Sequence, residues 1–146
     1  VIVVALLPDL LLGRLRAALG ADETVIAATG VDDHDGIAQA LERGDIDLVV
    51  LDPGDRRVEH RTHTLTALLE RYAAIPVLLY TPLTTAGIAL AAELLPGGTR
   101  RLLIAGVEDQ PAATRALVVR ITMDALAQRF LAGIDRQLGA LPTSVI

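Results

Sequence analysis

A chain of 146 residues with a formal net charge of -5 fits one domain of ordinary size and leaves little room for a second independent core. It has no cysteine, and its 13 basic residues are all Arg, which excludes disulfides, thiolate metal sites, cysteine nucleophiles and any mechanism that needs a Lys ammonium. Hydrophobic residues make up 52%, yet no apolar stretch reaches the roughly 18 residues of a membrane span, so the excess belongs in a core or an interface.

The run from Val1 to Leu6 is β-branched and continuous, as expected of a strand buried on both faces. Pro8 and Asp9 break it and open an amphipathic helix from Leu10 to Leu19, which Gly20 stops. With no basic start and no small-residue cleavage site, this segment is not an export signal, and cytoplasm is the expected compartment. Thr24 to Ala28 is a second short strand. The acidic turn Asp32, Asp33, His34, Asp35 supplies caps for a helix reaching Arg43, with Gly44 ending it. Asp47 to Asp52 is a third strand with polar ends, cut off at Pro53 and Gly54.

Leu65, Leu68, Leu69 and Tyr72 recur at helical spacing. Pro76 to Thr81 is a fourth strand, followed by a small-residue helix from Thr84 to Leu95 that stops at Pro96, Gly97 and Gly98. Arg101 to Ala105 is a fifth strand. From Gln110 to Leu138 the pattern is helical, with Pro111 in a permitted first-turn position. Strands alternating with helices need right-handed crossovers, which give a parallel sheet covered on both faces. Five such strands predict a flavodoxin-like, doubly wound α/β fold in the order 2-1-3-4-5. The division expected is an α/β domain over residues 1–122 and a helical extension or connector over 123–146. The apolar ending at Ile146 reads as a cut end.

In such sheets ligands sit at the carboxyl ends of the strands. The segment Asp47 to Asp52 resembles the third-strand motif of response-regulator receiver domains, and Pro76 to Thr81 resembles their fourth. The resemblance, which spans roughly residues 1–120, implies that Asp52 occupies the phospho-accepting position and Thr81 that of the switch hydroxyl. It further implies that Ala5 and Leu6 stand where the family carries its magnesium-holding acidic pair, and Ala105 where it carries a Lys. Phosphoryl transfer depends on positioning and on neutralising charge, so a receiver without these groups is degenerate. Asp9 is a further carboxylate near the first strand, but one carboxylate after a Pro is a poor substitute for a pair. Asp52 before Pro53 and Gly54 also suits a plain turn-former, and Thr81 before Pro82 a cap.

Two other clusters invite a metal reading. Asp55, Glu59, His60 and His63 have the spacing of one helical face, but Arg56, Arg57 and Arg61 run through them and repel a cation. Asp32 to Gly36 lacks the alternate ligands and distal Glu of a calcium loop and reads as a helix cap. No metal and no cofactor is expected. Gly-rich phosphate loops and nucleophile elbows are missing as well.

The last strand, the segment from Gly106 to Ala112 and the leucine-rich helix beyond also resemble the receiver-like amino-terminal regions of bacterial AraC-type transcription regulators. That resemblance implies a non-catalytic regulatory and dimerising module, with a helix-turn-helix downstream making the DNA contacts. One Phe, two Tyr and a net charge of -5 leave this segment itself without a nucleic-acid surface. The expected partner is a second copy, met through Thr84 to Ala92 and Ala112 to Leu131, with Arg115, Arg120 and Arg129 opposite Glu108, Asp109 and Asp124. Two alternatives stay open: an atypical receiver that phosphorylates Asp52, and a small-molecule sensor whose strand-end crevice is lined by Leu6, Leu7, Thr81 and Ala105.

Overall fold

Strands rich in Val, Leu and Ile, with apolar side chains on alternate faces, can be buried only if both faces of the sheet are covered. The computed structural model, which describes residues 2–20, 27–81, 102–106 and 110–139, has this arrangement. Its strands are β1 (Ile2–Leu6), β2 (Ala27–Gly30), β3 (Leu48–Leu51), β4 (Val77–Thr81) and β5 (Leu102–Gly106). They form one parallel sheet in the order β2-β1-β3-β4-β5. The helices are α1 (Asp9–Leu19), α2 (His34–Arg43), α3 (Arg56–Glu59), α4 (Thr62–Arg71) and α5 (Pro111–Gly139).

The period of two sorts the strand residues into two cores. Val4, Leu6, Val49, Leu51, Val77 and Leu79 pack on one face with Ile37 and Leu41 of α2, Val58 of α3 and Leu65 of α4. Val3, Ala5, Val50, Leu78 and Tyr80 pack on the other with Leu11 and Leu15 of α1 and Val118 and Ile121 of α5. Burying these side chains, at about 1.5–3 kcal/mol for each large one, is the main favourable contribution to the fold.

Local chemistry sets the helix ends. The Asp33 carboxylate accepts from Gly36 N at 3.0 Å and caps α2. Gly44, with φ of 81°, closes it in the left-handed conformation that suits glycine. Pro111 stands first in α5, where the missing N–H has no helical partner to lose.

Several expectations need correction. β2 runs to Gly30, past the expected end at Ala28, while residues 24–26 of the expected strand lie outside the described residues. It is an edge strand that pairs with β1 from Ile2 with Ala27 to Ala5 with Gly30. The stretch between β3 and β4 holds a separate short helix, α3, because Asp55 caps a new turn directly after Pro53 and Gly54. The final helix, by contrast, agrees with the expected span from Gln110 to Leu138, running over Pro111–Gly139. Arg115 and Arg129, expected at a surface between two copies, also make contacts within the chain. Arg115 donates to the Ala18 carbonyl at 3.4 Å, and Arg129 lies 3.5 Å from the Asp47 carboxylate. Asp47 also accepts from Ile2 N at 2.8 Å, so it ties the amino end of the sheet to α5. The expected helix from Thr84 to Leu95, its stop at Pro96 to Gly98, and Glu108 and Asp109 lie outside the described residues.

Candidate functional site

The carboxyl ends of β1, β3 and β4 converge beside the start of α1 and α3, where a parallel sheet of this order places its site. Ala5 and Leu6 end β1, level with Val50 and Leu51 of β3. Both are fully buried in the apolar cores, one on each face, and bring no oxygen to the site.

Asp52 follows β3 directly and is 6% exposed. Its Oδ1 accepts from Gly54 N at 2.9 Å, and its carbonyl accepts from Asp55 N at 3.1 Å. The carboxylate thus organises the turn that launches α3, as the sequence allowed. Thr81 ends β4 and is buried. Across the next pair, Thr81 is level with Gly106, and Ala105 with Tyr80. With no Lys in the sequence, neither position on β5 carries an ammonium.

The acidic residues around this mouth face a guanidinium. Arg57, in the first turn of α3, makes a fork with Asp55: its Nε lies 3.0 Å from Oδ1 and its Nη2 2.8 Å from Oδ2. Arg57 N donates to the same Oδ1 at 2.9 Å, and Nη1 reaches the Asp32 carbonyl at 3.2 Å. Hydrogen bonding to Arg57 holds the Asp55 carboxyl below the usual carboxylate range, against a smaller opposing effect of burial. The Arg57 guanidinium is raised in turn, first by its bonds to Asp55 and then by the charges of Asp55, Asp32 and Asp9.

Sequence reasoning singled out Asp52 and Thr81, and the structure brings both to the ends of adjacent strands. It missed Arg57, whose signal was the spacing of Asp55 and Arg57 straight after a Pro-Gly turn. Asp55 is drawn out of the proposed metal quartet by that fork, while His60 and His63 are exposed. Among the described residues no three His, Asp or Glu side chains form a group able to hold a metal ion. Of the residues expected to line a crevice for an apolar ligand, Leu6, Leu7 and Thr81 are buried. No helix among the described residues is long and apolar enough to cross a membrane.

No protein-family model matches the sequence, and no curated protein matches it either. Solved structures do. NtrX from Brucella abortus superposes with a TM-score of 0.69 at 16% identity, over 99% of this chain and 31% of that one. The signal receiver domain of a protein named as a Luxo repressor from Vibrio parahaemolyticus gives 0.65 at 14% identity, over 89% and 95%. A response regulator receiver protein from Sinorhizobium medicae gives 0.58 at 16%, over 85% and 94%. The chain has a receiver fold. At these identities the likeness is one of fold alone, so this receiver fold must be given its role from its own residues.

Proposed function

We propose that this receiver-fold chain is the non-catalytic regulatory and dimerising module of a bacterial transcription regulator of the AraC type, and that it does not accept a phosphoryl group by the usual magnesium-dependent route. The observation that carries the reading is the burial of Ala5 and Leu6 in apolar cores beside Asp52, in a chain without Lys. A phosphoryl group arriving at Asp52 would meet neither a metal grip nor an ammonium, and those supply most of the charge neutralisation such a transfer requires. Among the described residues the cation at this mouth is Arg57, which is already satisfied by Asp55 and the Asp32 carbonyl.

Pairing is assigned to α5. Its inner face carries Thr114, Val118, Ile121, Thr122 and Ala125, all buried. At 3.6 residues per turn, Met123, Leu126, Phe130, Ile134 and Leu138 fall on a separate stripe pointing away from that face. Phe130 is 69% exposed and Leu138 60%. Past Arg129, which ties the helix to Asp47, the stripe continues for about 15 Å. A second copy presenting the same stripe covers both at once, as a two-fold pair of helices does. In this reading 123–146 connects the module to a downstream helix-turn-helix that makes the DNA contacts.

The test is incubation with magnesium and acetyl phosphate, read by intact mass, together with the oligomeric state of Asp52→Asn. The expected result is no phosphoryl adduct, and dimers unaffected by the substitution. A magnesium-dependent adduct that Asp52→Asn abolishes would make this a working, atypical receiver and overturn the reading.

A further inference from the structure

Between the start of α2 and α3 lies a cleft of about 410 Å³, within the roughly 300–1,000 Å³ usual for small-molecule sites. Its walls are Asp33, His34 and Asp35 on one side and Arg56, Arg57, His60 and Arg61 on the other. Three guanidiniums therefore face two carboxylates. Asp33 is engaged in capping α2 through Gly36 N, and Asp35 Oδ1 lies 3.3 Å from His34 Nε2. Arg57 is held by Asp55. The side chains of Arg56, His60 and Arg61 make no hydrogen bond or ion pair among the described residues.

We infer that this cleft binds a small phosphorylated molecule, with Arg56 and Arg61 grasping its phosphate group and Arg57 adding a fixed positive charge. Arg56 and Arg57 of α3 and Arg61, the residue before α4, bring three guanidiniums to one wall of the cleft. Guanidinium groups offer paired N–H donors matched to phosphate oxygens, and they repel any metal ion. The cleft is wider than a phosphate ion, which leaves room for the rest of a small ligand. A nucleic-acid partner is disfavoured by the net charge of -5 and the scarcity of aromatic residues. Asp52 is not among the residues that line the cleft.

The test is a calorimetric titration of the whole chain with pyrophosphate at constant ionic strength, with sulfate as comparator and thermal melting alongside. Saturable, stoichiometric binding with a raised melting temperature is expected, tighter for pyrophosphate than for sulfate. Arg56→Ala with Arg61→Ala should weaken it at least tenfold, since these exposed side chains leave the core untouched, and Asp52→Asn should leave it unchanged. Equal binding by wild type and the double variant, or binding that is not saturable and fades alike in both as salt rises, would overturn the inference. So would binding lost only in Asp52→Asn, which would place the anion at the strand ends, or recognition of a phosphoserine peptide without recognition of pyrophosphate.

Discussion

Asp52 and Asp55 stand three positions apart at the end of the same strand, and each has a different occupation. Asp52 spends one oxygen on Gly54 N, fixing a turn. Asp55 spends both on Arg57 and so carries a measurable electrostatic contribution. Its pKa in the folded protein is depressed, so the stabilisation is fully present above the ordinary Asp value and is lost as pH falls through the lower folded value. With Arg57 over a third exposed, solvent screening holds the pair to about 1 kcal/mol. Urea melts of wild type and Arg57→Ala should differ by about that amount near neutral pH and converge below pH about 4. A difference that stays constant across that range would show that Arg57 acts by packing and not by charge.

At the scale of elements, helix ends were legible because their signals are local. Asp33 as a cap, Gly44 as a stop and Pro111 as a start need only neighbouring backbone groups. The same locality sets opposite expectations for two glycines. Gly44 has φ of 81°, so Gly44→Ala should destabilise by about 1 kcal/mol. Gly13 sits inside α1 with open space where a Cβ would be, so Gly13→Ala should stabilise by about 0.5–1 kcal/mol. Chemical denaturation of the two variants reads both, and a shared sign would refute the assigned backbone conformations. The end of β2 at Gly30 was not legible, because an edge strand takes that limit from the partner beside it. The roles of Arg115 and Arg129 were hidden for a similar reason: their partners, Ala18 and Asp47, are remote in the chain.

For the whole molecule, the proposed dimer depends on an apolar stripe that the sheet does not cover. Light scattering should find wild type dimeric and Phe130→Glu monomeric, with the melting temperature of the monomeric fold little changed, because Phe130 is 69% exposed. A monomeric wild type, or a variant that remains fully dimeric, would remove α5 from the interface.

The sequence by itself determined the alternation of strands and helices, the parallel sheet that alternation requires, and the absence of any Lys, since each follows from residue type and short-range spacing. Only the tertiary structure decided where charge is satisfied. It turned Asp55 and the Asp32 carbonyl toward Arg57, buried Leu6 and Leu7, and set Arg56, Arg57 and Arg61 along a cleft between α2 and α3. Charges act through distance in space, and residues 32 and 57 become neighbours only when β1 has paired on one side with β2 and on the other with β3.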